Sequence, residues 1–161
     1  MRVTARTKSV QKSVTWLNGF GTSRDPRVTG PGVASGGVSN DRRHRLGALG
    51  ERVAAEHLIR RGFRILERNY RTRWGELDIV AFDGRTLAFC EVKTRRVGYR
   101  AGTPFDAIDP RKCARVRKIV GSWLHERRDR PWVSEIRCDA IGVTFDAADR
   151  LVALEHLEGA F

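Results

Sequence analysis

A chain of 161 residues is long enough to bury one core and too short for two independent ones. Hydrophobic residues at 40% and charged residues at 31% exclude wholesale disorder, and the want of any long apolar run excludes a membrane-spanning helix. The 31 Lys and Arg against 19 Asp and Glu leave a formal net charge of +12, which calls for a polyanionic partner without choosing among nucleic acid, an RNA-rich assembly and an anionic surface.

Residues 1–40 are dominated by Gly, Ser, Thr and Val, are interrupted by Pro26 and Pro31, and hold a single acid, Asp25. Their basic residues Arg2, Arg6, Lys8 and Lys12 precede no apolar core segment, so a secretory signal is not expected. The expectation is a disordered basic tail over 1–40 and one folded domain over 41–161. Six basic residues and one acid lie in the tail, which leaves 25 against 18 for the domain, so its surface is basic too.

From Asp41 the pattern turns helical, with Leu46, Leu49, Val53 and His57 on one stripe, Ala54 and Leu58 widening it, and Gly62 as the stop. Strands are predicted over 63–70 and over Glu76–Phe82. Asp83-Gly84 marks a tight turn, and a partner strand follows over Thr86–Lys93. A loop over Thr94–Ile108 leads to Asp109-Pro110, an N-cap followed by Pro in the first turn of a second helix with Cys113, Val116, Val120, Trp123 and Leu124 on its apolar face. Two further strands are predicted near Val133–Thr144 and Arg150–Leu157. Helix, three strands, helix and two strands describe an α/β sheet with helices on both faces.

Cys90, Cys113 and Cys138 are odd in number and widely spaced, which argues against a disulfide framework or a zinc site and for a reducing, cytoplasmic compartment. His44, His57, His125 and His156 show no metal-ligand spacing, and His57, on the apolar stripe, is expected to be a satisfied core histidine.

Side chains two apart share one face of a strand, so Glu76 and Asp78 point one way, and on the next strand Glu91 and Lys93 do the same. The Asp83-Gly84 turn sets these strands side by side and brings Asp78, Glu91 and Lys93 together. Two carboxylates and an amine in strands otherwise made of Leu, Ile, Val, Ala and Phe are costly unless something offsets the charge. A hard divalent cation does so, and Lys93 beside it would hold or deprotonate an attacking water. An ordinary cross-strand ion pair of Lys93 with either acid is the competing explanation.

Gly75-Glu-Leu-Asp78-Ile-Val-Ala81 followed by Phe89-Cys-Glu91-Val-Lys93-Thr-Arg95 resembles the PD-(D/E)-x-K nuclease signature, and more narrowly the YraN family of bacterial endonuclease-like proteins. Gly47-x-x-Gly50-Glu51-x-x-Ala54, Arg61-Gly62, Asn69-Tyr70, Asp83-Gly84, Pro110-x-Lys112 and Arg137-Cys-Asp139 extend the likeness over about 47–145. The resemblance departs from the pattern at Leu77, where the signature carries Pro, and at Cys113, where Gln is expected.

What the resemblance implies is a restriction-endonuclease-like three-layer α/β/α sandwich around a mixed sheet of four to five strands, similar to Holliday-junction resolvases, with cleavage of DNA dependent on Mg²⁺ or Mn²⁺. Asp78 and Glu91 would be metal ligands, Lys93 the water-orienting base, and Glu51 an additional ligand from the first helix. Branched or damaged DNA is the implied substrate, a homodimer would suit an enzyme that must cut two strands, and no organic cofactor is expected. Arg71, Arg73, Arg95 and Arg96 flank the site in loops and are candidates for phosphate contacts, as are Lys112 and Arg115 on the second helix. Trp74 would either stack on a base or pack on the core, and Glu76 would be a supporting acid or an arginine partner.

Overall fold

The structure, a computed structural model, describes residues 38–98, 105–106 and 108–161 together with the backbone of a short strand at 12–15. In chain order the elements are β1 (Lys12–Thr15), α1 (Val38–Arg60), β2 (Arg64–Thr72), β3 (Gly75–Phe82), β4 (Thr86–Arg96), α2 (Pro110–Glu126), β5 (Glu135–Phe145) and β6 (Leu151–Leu157).

Helix α1 forms where its apolar stripe demands it: Ala54, His57 and Leu58 are buried and Leu46, Leu49 and Val53 pack beside them. It ends in two backbone bonds, from Phe63 N to Leu58 O at 3.0 Å and from Gly62 N to Ile59 O at 2.9 Å. Gly62 takes the left-handed φ of 87° that this C-terminal turn requires, and the buried Phe63 closes it. Helix α2 begins as its sequence prescribes, with the Asp109 carboxylate accepting from Lys112 N at 2.8 Å and Pro110 in the first turn.

The strands form one mixed sheet in the order β1-β6-β5-β4-β3-β2, in which β4 and β5 run parallel and every other pair is antiparallel. Against one face α1 packs Ala54, Ala55 and Leu58 on Ile79, Ala81, Ala88, Cys90, Ile141 and Val143. Against the other, α2 packs Val116, Ile119, Val120 and Trp123 on Leu77, Val80, Leu87 and Phe89. The result is a three-layer α/β/α sandwich with a core on each side of the sheet.

Two features differ from the sequence expectation. Residues 12–15, in the stretch expected to be disordered, form an edge strand paired from Lys12↔Leu157 to Thr15↔Leu154, so the sheet has six strands and not four to five. Strand β6 otherwise leaves a row of backbone groups unpaired, and a short segment rich in Ser, Val and Thr suffices to satisfy it. Strand β4 also runs on to Arg96, beyond the expected end at Lys93, because the equally long β5 supplies partners for Thr94, Arg95 and Arg96.

The β3–β4 ladder, by contrast, stops at Ile79↔Cys90. Past that point β3 stays with β2 through Tyr70↔Leu77, Arg71↔Glu76 and Thr72↔Gly75, while β4 stays with β5 as far as Arg96↔Phe145. The two central strands therefore part into a fork, with Asp78 on one side and Glu91–Lys93 on the other.

Candidate active site

At the fork, the side chain of Asp78 replaces the missing backbone partner: Val92 N donates to its Oδ2 at 2.6 Å. Burial pushes the Asp78 pKa up to about 6, the Val92 hydrogen bond and Lys93 pull against it, and the carboxylates of Glu91 and Glu51 add to the rise. Asp78 thus carries a charge that its surroundings do not fully compensate.

Glu91 is buried, and its Oε1 accepts from Lys93 Nζ at 2.5 Å and from Lys112 Nζ at 2.7 Å. Burial would raise its pKa, but the two lysines outweigh burial and hold the carboxylate below its ordinary range. For Lys93, burial favours loss of the proton, yet the hydrogen bond and charge of Glu91, with Asp78 behind it, raise the pKa overall. Lys112 goes the other way: burial and the neighbouring Lys93 ammonium prevail over Glu91, and its pKa is lowered. The pairing of Lys93 with an acid, the competing explanation to a metal site, is present with Glu91, and Lys112 joins it from α2. From the sequence, Lys112 is a candidate phosphate contact or part of a solvated helix face; its side chain is instead largely covered and bonded to Glu91.

Glu51 reaches the site through a close helix–strand approach. A Cβ on Gly50 would stand 1.8 Å from Thr94 Oγ1, so only glycine lets the α1 backbone rest on β4. Glu51 then lines the same cavity, of about 770 Å³, as Asp78 and Lys93. Arg68 lies 3.7 Å from Glu51 Oε2. Asn69, with its amide oriented to satisfy its neighbours, donates to Glu51 at 3.1 Å and to Glu76 at 3.2 Å. Asn69 has a φ of 53°, a left-handed conformation that Asn tolerates better than most residues. This kink in β2 is where Asn69 comes to join the two acids, and no spacing rule announced it. Glu76 also accepts from Arg71 Nε at 3.0 Å, the arginine-partner role.

Among the described residues no three His, Cys, Asp or Glu side chains stand close enough to hold a metal ion as a ready-made cage. The structure gathers Asp78, Glu91 and Glu51 into one electrostatic neighbourhood and not into a three-acid cluster. That donor set fits a hard cation held through one or two carboxylates with waters and a substrate phosphate, as is usual for Mg²⁺. Asp78 could be its first ligand, since a cation would stabilise the ionised form of a carboxylate whose pKa is raised.

The other basic candidates separate. Arg95 lines the cavity, with its Nε 3.3 Å from Thr144 Oγ1. Arg96 also lines it, but its guanidinium bonds the carbonyls of Asp146 and Ala147 at 3.0 Å and pairs with Asp149, binding the β5–β6 turn to β4. Arg71 and Arg73 sit at the β2–β3 hairpin, where Arg73 and Lys118 each lie 4.6 Å from the centre of the Trp74 ring. Exposed Arg115 runs past Gly75 at the same hairpin. Sequence reasoning missed Arg42 and Arg43, which line the cavity from α1; their only signal was a basic cluster beside the expected domain boundary.

The Arg137-Cys-Asp139 motif serves a separate, buried polar cluster. Asp139 accepts from Arg137 and from Gly159 N and meets His156 Nε2 at 3.0 Å, while His156 Nδ1 lies 3.2 Å from His57 Nε2. His57 is buried and partnered, as its place on the helix stripe suggested.

The model of the Uncharacterised protein family UPF0102 matches residues 50–143. A UPF0102 protein of Frankia alni is 47% identical over 116 residues, covering 72% of this chain and 93% of the relative. One from Mycobacterium avium is 46% identical over 119 residues, covering 73% and 90%, and one from Chlorobium limicola is 43% identical over 122 residues, covering 73% and 92%. The matched stretch holds Gly50, Glu51, Asp78, Glu91, Lys93 and Lys112, so every side chain that builds the fork falls inside it. With such identity over nearly the whole of these relatives, the chain belongs to the UPF0102 family.

Proposed function

We propose that this chain is a metal-dependent nuclease that hydrolyses phosphodiester bonds in branched or damaged DNA, on the plan of the PD-(D/E)-x-K nucleases and the YraN family that it resembles. The observation that carries the reading is the fork itself, where Asp78, with its pKa raised to about 6, lines one cavity with Lys93 and Glu51 beside the Glu91–lysine cluster. Asp78, with Glu51 or Glu91, would hold Mg²⁺ or Mn²⁺; the chemistry that such an ion supplies is neutralisation of charge on the phosphate and activation of a bound water. Lys93, kept as an ammonium by Glu91, would orient an attacking water and donate to a phosphate oxygen more readily than it would remove a proton. Lys112 shares Glu91 and holds that carboxylate in place. The free thiols of Cys90, Cys113 and Cys138 are in keeping with a reducing cytoplasm, and no described helix is long and apolar enough to cross a membrane.

The test is a cleavage panel of single-stranded, duplex, flap and four-way-junction DNA with Mg²⁺ and with Mn²⁺. The wild type is expected to cut at least one branched substrate, and Lys93→Ala and Asp78→Ala to lose about 10²-fold or more of the rate while still folding and binding DNA. Equal rates in wild type and variants would overturn the reading. One observation favours a second reading, a nucleic-acid-binding module that does not turn over: Glu91 is already satisfied by two lysines, and no described three-acid group exists. Such a module would bind every substrate in the panel, cut none, and be indifferent to Asp78→Ala.

A further inference from the structure

We propose that the groove between the N-terminal half of α1 and the outer end of β4 carries one strand of nucleic acid toward Asp78, with Arg42 and Arg43 as its phosphate contacts. The proposal rests on the nuclease reading for what lies at the end of the groove; the binding itself stands on the groove's own geometry.

The cavity that contains Asp78 and Lys93 is walled on the helix side by Arg42 and Arg43, both exposed. A second recess, of about 880 Å³, lies along the same half of α1 and adds Arg45 and Arg52. The two share Arg42, Leu46 and Arg96, so they lie side by side on α1. Of the acids that line them, Asp149 is paired with Arg96, while Glu51, 3.7 Å from Arg68, and Asp78 stand at the inner end. Charge therefore changes from positive at the entrance to negative at the fork, as a path for a phosphate backbone to a cation-assisted site requires.

Recesses of about 770 and 880 Å³ have the volume of small-molecule pockets, about 300–1,000 Å³, which is room for a few nucleotides of one strand. Leu46 gives the groove an apolar lining on which a sugar or base face can rest, and at Gly47 a Cβ would meet nothing within 4 Å, so the helix surface there is open.

The experiment measures binding of a fluorescent oligothymidylate and of a blunt duplex of equal length to the full chain, by anisotropy at several salt concentrations in EDTA, so that cleavage plays no part. The wild type is expected to prefer the single strand. Arg42→Ala/Arg43→Ala is expected to weaken that binding about tenfold or more and to reduce the slope of log K against log salt by about 1.4, two contacts at about 0.7 each. The control Arg85→Ala/Arg128→Ala removes the same charge from exposed positions outside the groove and is expected to change the slope little. An unaltered slope in the groove variant, an equal loss in the control, or tighter binding of the duplex by the wild type would overturn the proposal. If the groove variant behaves as expected while no metal condition yields cleavage, the groove stands and the nuclease reading falls. If cleavage persists in the groove variant with an unaltered KM, the groove falls and the nuclease stands.

Discussion

Half-buried Asp78 and buried His57 give the molecule two perturbed titrating groups of opposite sign. The Asp78 pKa is raised from 3.8 to about 6, so the folded chain binds its proton more tightly than the unfolded chain does. The stability this lends is complete below about pH 4 and is lost as pH rises through about 6. An Asn at 78 mimics the protonated acid and keeps an acceptor for Val92 N. Asp78→Asn is therefore expected to raise stability at pH 7 by on the order of 2–3 kcal/mol while ending cleavage, and urea unfolding at pH 7 measures it. A loss of stability at pH 7 would contradict the electrostatic picture. The His57 pKa is lowered from 6.5 to about 4, by burial first and then by the His156, Arg61 and Arg60 charges. Its contribution is present above about 6.5 and lost as pH falls through about 4. Between about pH 4 and 6 the two groups oppose each other, so the His57 slope is expected to stand out in the Asp78→Asn background and to flatten when His57→Gln is added. At this scale Asp78, Glu91 and Lys93 were legible because strand alternation and the Asp83-Gly84 turn are local signals. Lys112 and Asn69 fall in motifs that the sequence singles out, but their contacts with the acids were not legible, since one needs the packing of α2 against the fork and the other a single left-handed residue in β2.

Helix α1 is set by two glycines with opposite demands. At Gly50 a Cβ would overlap Thr94 Oγ1 at 1.8 Å and approach Thr94 Cβ at 2.9 Å, whereas at Gly47 it would meet nothing. Gly50→Ala is expected to destabilise the fold by about 1–3 kcal/mol through overpacking and to displace Glu51 from the cavity. Gly47→Ala is expected to add about 0.5–1 kcal/mol of helix stability. Chemical denaturation of the two variants checks the pair, and equal effects would show that the helix does not rest on β4 at Gly50. Capping residues, the Gly62 stop and alternating strands were readable for the same reason: each is decided within a few residues. The extension of β4 to Arg96 and the pairing of β1 with β6 were not, because both depend on which distant strand lies alongside. The fork that opens the site is likewise a property of three pairings at once, in which β3 follows β2 and β4 follows β5.

For the whole molecule, a net charge of +12 and a three-layer sandwich with a cavity at the parting of its central strands define what a partner must be. A polyanionic partner, if bound, is expected to be held with an affinity that falls steeply with salt. What separates a catalyst from a basic binder is whether the fork takes up a divalent cation, since the Val92 hydrogen bond and the Lys93 charge only partly offset the perturbation of Asp78. Calorimetric titration of Mn²⁺ into the wild type, Lys93→Ala and Asp78→Asn tests this directly. Saturable binding is expected in the wild type and in Lys93→Ala and is expected to vanish in Asp78→Asn. Identical titrations for all three proteins, or no binding by the wild type, would contradict the assignment of the fork as a metal-dependent site.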